Sequence, residues 1–462
     1  MPSHPDLQME TLAKHESQRN HLRSMSKVFK NTPIFVPNKY FDKHAIAKHI
    51  KRVKYQNQRK DLYQSILLNF KLHQKLTRNH FTSSYNDIKP FIHYFHDIFP
   101  NQKEFGQRIY NNYIHNQSLI HTLALAPTQS GKTGSMLSII YHAISHPTRP
   151  VPIQHIFIFT PHSSREWLLQ TKDRFPPILH NNIFHRNNIK QLISSIQNKQ
   201  NILLILDEVQ IAFKIGQTTF NLFNQLGLYQ PRNLFINDIK IVSFTATPNQ
   251  LPQDFILWKQ YATIQKMDVP ESYISHKTLL QQNRLLQMKD LTCFDNVTQS
   301  VRSEAFDNIM EILPYVFNMD SPKFHIIRTP RANLHHVTIQ NFKHVFNKHN
   351  LQYLLISEST IHDFDKFISK PPDLHTFIFI KDKLRCAKTL DKNHIGILYE
   401  RFVAKPIVEN IVQGLAGRLT GYHFNTQSIV FTHLPSIHNY LSSNSSYFVD
   451  SHIRKPSAFY PF

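Results

Sequence analysis

Residues 123–134, Leu-Ala-Leu-Ala-Pro-Thr-Gln-Ser-Gly-Lys-Thr-Gly, constrain the fold of this chain more than any other stretch. Their core, Ala126, Pro127, Thr128, Gln129, Ser130, Gly131, Lys132 and Thr133, has the spacing of a phosphate-binding loop with Ala at the first glycine position. Such a loop needs a strand before it and a helix after it. Its backbone N–H groups then wrap phosphate oxygens while the helix presents its positive dipole end. Both neighbours are written in the sequence. Apolar Leu123–Leu125 precede the loop, and Met136, Leu137, Ile139 and Ile140 follow at helical spacing. Gly131 lets the backbone approach an anion without a Cβ. Lys132 is expected to reach the β- and γ-phosphates, and the Thr133 hydroxyl to ligate Mg²⁺.

Further apolar runs place strands around this loop. Ile156–Thr160 ends at Pro161, Asn201–Leu206 ends at Asp207 and Glu208, and Ile239–Phe244 leads into Thr245-Ala246-Thr247. Helical connections between such runs give a parallel α/β sheet, whose ligands lie beyond the carboxyl ends of the strands. Residues 265–320 read as a mainly helical connector. The α/β pattern then resumes with Phe324–Arg328, Leu351–Ile356, Thr376–Ile380, His394–Leu398 and Ser428–Thr432. The expected organisation is therefore a basic region over 1–100, a nucleotide-binding domain over 101–264, the connector, and a second α/β domain over 321–462.

Charge narrows the partners. With 53 Lys and Arg against 31 Asp and Glu, the chain carries +22, which points to a polyanion. Residues 1–100 alone hold 17 basic and 7 acidic side chains, and 43–80 mix Lys and Arg with helically spaced apolar residues. That pattern suits a nucleic-acid-binding accessory helix or a solvated helix face. Two cysteines exclude a disulfide framework and a cysteine zinc site. No apolar run approaches the roughly 20 residues of a membrane span, and the N-terminus lacks an apolar signal core. The expectation is a soluble intracellular protein. His142 and His146 share a helix face at a zinc-compatible spacing, but no third ligand accompanies them.

Asp207 and Glu208 complete the chemistry of the loop. One carboxylate holds Mg²⁺ and the other orients and deprotonates the attacking water. Gln107, upstream of the loop, is the candidate for reading an adenine edge with its amide.

Taken in order, the loop at 126–133, Thr160-Pro161, Asp207-Glu208-Val209-Gln210 and Thr245-Ala246-Thr247 resemble motifs I, Ia, II and III of superfamily 2 helicases. Gln413-Gly414-Leu415-Ala416-Gly417-Arg418 resembles motif VI, and Lys381–Leu390 sits where motif V belongs. The resemblance spans roughly residues 100–435 and is nearest to divergent helicases of phages, plasmids and large DNA viruses. It implies two tandem RecA-like parallel-sheet domains, preceded here by the basic, mainly helical extension, with ATP and Mg²⁺ in the cleft between them. Lys132, Thr133 and Asp207 would hold the nucleotide and metal, and Glu208 would be the base. Gln210, Thr245 and Thr247 would couple hydrolysis to nucleic acid. Arg418 would be the arginine finger. Departures are visible. Gln413 stands four residues before Gly417 rather than three before the Gly-Arg pair. Gly421 stands where a second Arg is usual, leaving Arg385 or Arg401 to share the role. Gln129 replaces a common Gly. Nucleic acid, DNA or RNA held through phosphates, would meet Thr160, His162 and Ser163 in the first domain and Arg328, Thr329 and Arg331 in the second. The expected activity is an ATP-dependent helicase or translocase. The rivals are a remodelling ATPase that does not unwind, a nucleic-acid-binding module with a decayed ATPase, and an unrelated phosphate-loop NTPase.

Overall fold

The computed structural model describes residues 85–449, apart from 162, 164, 210–215, 229–230, 248–260, 296, 299, 350–351, 362, 382–389 and 423–426. The basic region before residue 85, His162, Gln210 and Arg385 lie outside the described residues.

Two six-stranded parallel sheets stand in series, as expected for tandem RecA-like domains. The first is built from β1 (His121–Leu125), β2 (Ile156–Thr160), β3 (Ile183–His185), β4 (Ile202–Leu206), β5 (Ile239–Thr245) and β6 (Ala262–Lys266), in the order β3-β2-β4-β5-β1-β6. The second uses β7 (Leu285–Gln287), β10 (Phe324–Arg328), β11 (Leu354–Ser357), β12 (Thr376–Ile380), β13 (Ile395–Tyr399) and β14 (Ile429–Thr432), in the order β11-β12-β10-β13-β14-β7. A short antiparallel pair, β8 (Phe294–Asp295) with β9 (Ser300–Val301), lies between β7 and β10 in sequence.

The inner strands are continuous apolar runs because helices cover both faces of a parallel sheet. Successive side chains divide between two cores. Ala124, Ile156, Ile158, Leu203, Ile205, Val242 and Phe244 face one. Leu123, Leu125, Phe157, Phe159, Leu204, Leu206 and Ile241 face the other. The first core is roofed by α1 (Tyr85–His96), α2 (Pro100–His115) and α3 (Lys132–Ile144). Phe105 and Ile109 of α2 meet Met136, Ile139 and Ile140 of α3 there. In the second domain one continuous cluster gathers Phe342, Val345 and Phe346 from α4 (Asn333–Lys348) against the strands. A five-residue helix, α5 (Leu415–Leu419), follows β13 and precedes β14.

The segment read as a mainly helical connector is different in detail. β6 carries the first sheet on to Lys266, and β7 joins the second sheet as its edge strand, pairing Val430 with Leu285 and Thr432 with Gln287. Both are edge strands with half-exposed, partly polar sequences, so neither shows an apolar run.

His121, His276 and His325 are buried, and burial disfavours their charged form. Burial pushes His121 down from the ordinary 6.5 to about 3 and His276 to about 4. His325 is lowered well below 6.5, first by burial and then by neighbouring His375. Its Nδ1 accepts from Ile397 N–H at 3.2 Å, and its Nε2 lies 2.9 Å from His375 Nδ1. The unfolded chain binds protons at these rings below pH 6.5 and the folded chain does not, so stability falls as pH drops from about 6.5 towards 4. Each ring contributes up to about 1.4 kcal/mol per pH unit in that window. Urea midpoints are expected to be level between pH 7 and 8 and to fall steeply between pH 6.5 and 5. His325→Asn should flatten the slope.

Candidate functional site

The site lies beyond the carboxyl ends of β1 and β4 and is closed from the other side by α5. It surrounds a cavity of about 450 Å³. The loop after β1 is fixed at both ends. Ala126 N–H donates to the Thr245 carbonyl at 3.1 Å, and Ser130 N–H to the Pro127 carbonyl at 3.1 Å. Gln129 and Gly131 take left-handed backbone angles, φ 59° and 94°. A side chain at 131 would also collide with the Gln102 amide, which is why a glycine begins α3.

Lys132 reaches across this loop to the acids. Its Nζ pairs with Glu208 Oε1 and lies 3.9 Å from Asp207 Oδ1. β4 ends where Asp207 N–H donates to the Phe159 carbonyl at 2.9 Å, and Val209 N–H bonds the Phe244 carbonyl at 3.1 Å. Between those two anchors Glu208 sits at φ 53°. A non-glycine residue held in that region marks local strain, the kind found at working sites. Asp207 Oδ1 is buried with no hydrogen-bond partner, and Thr133 lines the same cavity. A carboxylate oxygen without a hydrogen bond and a hydroxyl lining one cavity fit the oxygen ligation that Mg²⁺ requires.

The second domain reaches into this cleft at several points. Gln413 Nε2 donates to Glu208 Oε2 at 2.9 Å and lies 3.4 Å from Thr247 Oγ1. Thr247 N–H in turn bonds Thr245 Oγ1 at 3.1 Å. Arg418 is only 1 % exposed and lines the cavity. Three hydroxyls hold the loop's carbonyls. Thr420 Oγ1 donates to the Thr128 carbonyl at 2.8 Å, Tyr273 OH to the same carbonyl at 2.6 Å, and Tyr422 OH to the Ser130 carbonyl at 2.9 Å. Tyr422 also stacks on Phe99, with ring centroids 4.7 Å apart.

Lys132, Thr133, Asp207, Glu208, Thr245, Thr247 and Arg418 thus converge. Other expected residues do not. Gln107 is exposed on α2 and stays out of the cleft. Gln102, five residues earlier on the same helix, lines the cavity instead. Its Nε2 lies 3.3 Å from the Ser130 carbonyl, and its Oε1 accepts from Phe99 N–H at 3.4 Å. Helix phase explains the error: five residues rotate a side chain about 140° around the axis. Gln102 shares a face with buried Phe105 and Ile109, three and seven residues on, a signal present in the sequence.

The expected nucleic-acid contacts also divide. Ser163 and Arg331 are exposed. Thr160 is fully buried at the end of β2. Thr329 is buried, with Oγ1 2.7 Å from His335 Nδ1 and 3.2 Å from the Ile380 carbonyl. Arg328 is buried on Glu400, 2.6 and 2.7 Å from its two oxygens. A strand-end residue can turn inward as readily as outward, and Arg328 and Thr329 are held by internal partners. Among the described residues no cluster of His, Cys, Asp and Glu forms a separate metal site, and no helix is long and apolar enough to cross a membrane.

No family model matches the chain. It is 26 % identical over 336 residues to an uncharacterized protein of Acanthamoeba polyphaga mimivirus, covering 67 % of this chain and 78 % of that one. Among solved structures it is similar to S. cerevisiae Dbp5 bound to RNA and ADP BeF3, at 13 % identity and TM-score 0.43, over 81 % of this chain and 95 % of that one. It is similar to Mss116p bound to ssRNA and AMP-PNP, at 14 % identity and TM-score 0.47, over 78 % and 75 %. It is also similar to the Escherichia coli DEAH/RHA helicase HrpB, at 13 % identity and TM-score 0.40, over 72 % and 43 %.

Proposed function

We propose that this chain is a nucleic-acid-stimulated ATPase of the helicase type, coupling ATP hydrolysis to movement on, or unwinding of, DNA or RNA. The observation that carries this reading is the Gln413–Glu208 hydrogen bond, 2.9 Å across the cleft. It joins the second domain to the residue proposed as base in the first, with Lys132 and Arg418 lining the same cavity. An ATPase assembled from two halves senses their relative position, which is what a motor needs.

In the ion-paired site, Lys132 covers Glu208. The phosphates of ATP draw the lysine off, because they offer it more negative charge than one carboxylate. Glu208 is then free to orient a water and accept its proton. Thr133 and Asp207 are the residues that would hold Mg²⁺, which supplies charge neutralisation at the β- and γ-phosphates. Arg418 offers its guanidinium to the charge that develops on the γ-phosphoryl group. Gln413 reports the state of Glu208 to the second domain, and Thr245 and Thr247 lie in the same hydrogen-bonded line. Net charge and exposed Arg331 support a polyanionic track held through its backbone.

The test is steady-state ATP hydrolysis with no polymer, single-stranded DNA, single-stranded RNA and duplexes, at two salt concentrations. Stimulation by one polymer, weakening as salt rises, is the expected result and identifies the track. Hydrolysis indifferent to every polymer would overturn the motor reading in favour of an unrelated NTPase. Nucleic-acid binding without hydrolysis would leave a binding module.

A further inference from the structure

The helix that carries Arg418 has no device of its own to fix where it begins. α5 is five residues long, too short to persist unaided. Its N-cap, Gly414, makes no side-chain cap hydrogen bond, so the free N–H groups of the first turn need an outside acceptor. Glu400, just beyond β13, provides it: Oε2 accepts from Leu415 N–H at 3.2 Å. Both oxygens of that carboxylate are held by Arg328 Nη1, and Oε1 also accepts from Arg401 N–H at 3.2 Å. The pair is buried, with side chains 7 % and 6 % exposed. The sequence makes room for the carboxylate. A Cβ at Gly414 would lie 2.7 Å from Glu400 Oε2, 2.5 Å from the Asn410 carbonyl and 3.4 Å from Arg328 Nη1.

Buried ion pairs contribute little net stability against apolar residues of the same size, because each charge loses its hydration. What this pair does supply is direction. The carboxylate has a fixed orientation, and one of its oxygens sets the first N–H of a helix three residues before Arg418. We propose that Arg328 and Glu400 are positioning residues for Arg418, locking the start of α5 so that the guanidinium faces the cleft. Arg328 ends β10, next to the loop that bears exposed Arg331, so the same pair ties that loop to α5. This inference rests on reading Arg418 as the trans-acting arginine of the ATPase.

The experiment compares the full-length wild type with E400A, E400Q, R328M, R418A and the double variant E400A/R418A. E400A is expected to lower kcat for polymer-stimulated ATP hydrolysis about 100-fold, as misplacement of a catalytic group by about 1 Å does, with KM for ATP little changed. E400Q keeps an acceptor for Leu415 N–H and should recover about tenfold of that loss. R418A and E400A/R418A should turn over at the same rate, since the second change has nothing left to misplace. Losses that instead multiply would overturn the proposal, because Glu400 would then act independently of Arg418. Amide hydrogen exchange supplies a readout that needs no activity. Residues 415–419 should lose protection in E400A and R328M while β1 to β5 keep theirs, and unchanged protection would also overturn the proposal. If wild type proves inactive on ATP, the helicase-type reading fails and the exchange result alone decides the positioning. If E400A does not fold, G414A serves, since it crowds the same carboxylate with both charges present and should give the same pattern.

Discussion

ATP hydrolysis by Glu208→Gln is expected to fall about 10²–10⁴-fold, the usual contribution of a general base. Binding of ATP should persist or tighten. Lys132 is paired with Glu208 in the structure, and a neutral Gln no longer competes with phosphate for it. Gln413 keeps an oxygen to donate to, so the contact across the cleft survives the change. The measurement is single-turnover hydrolysis beside equilibrium binding of a fluorescent ATP analogue. A variant that hydrolyses ATP at the wild-type rate would remove Glu208 from the chemistry. A variant that has lost binding would mean that the ion pair, rather than the reaction, needs the carboxylate.

Arg418→Ala should be at least as damaging, about 10³–10⁵-fold in kcat, because an arginine supplied by the opposite domain meets charge that exists only in the transition state. KM for ATP and the affinity for ADP should change little, since neither depends on that charge. A buried cation lies near Arg418. Lys392 is 3 % exposed and is lowered to about 8, first by burial and then by the nearby charges of Arg284 and Arg418. Arg418→Lys should restore only a small part of the rate, because an ammonium lacks the planar fork of guanidinium.

The sequence readily shows what is local and apolar. Five-residue runs such as Ile156–Thr160 and Thr376–Ile380 coincide with β2 and β12, because a strand buried on both faces is mostly apolar along its whole length. The loop at 126–133, Asp207, Glu208 and Arg418, singled out from the sequence, line one cavity. Three of the four edge strands were not legible, β11 alone overlapping the expected run Leu351–Ile356. β3 and β7 have three residues each, and β6, Ala-Thr-Ile-Gln-Lys, is half polar. Gln102 went unseen, although the apolar face of α2 marks it, because its target lies 28 residues away. Arg328 was read as facing nucleic acid for the same reason: its partner Glu400 is 72 residues further on. Pairings over such distances are set by how sheets stack, which no window of sequence contains.

The crossing from β6 to β7 has a mechanical consequence. Met267 N–H is fastened to the Leu125 carbonyl at 2.9 Å, and Asp268 takes a hydrogen bond from Arg108 at 2.9 Å. Ile274 is bridged to Gly421 through two hydrogen bonds, 2.9 and 3.0 Å, and Tyr273 OH is fixed on the Thr128 carbonyl. The tether therefore has slack only over residues 269–272, about 14 Å of chain at full extension. The two halves cannot swing far apart unless the Ile274–Gly421 rungs unzip first. On this geometry the cleft is held like a short-chained door: while the latch stays fastened, the halves can part only as far as those few residues reach.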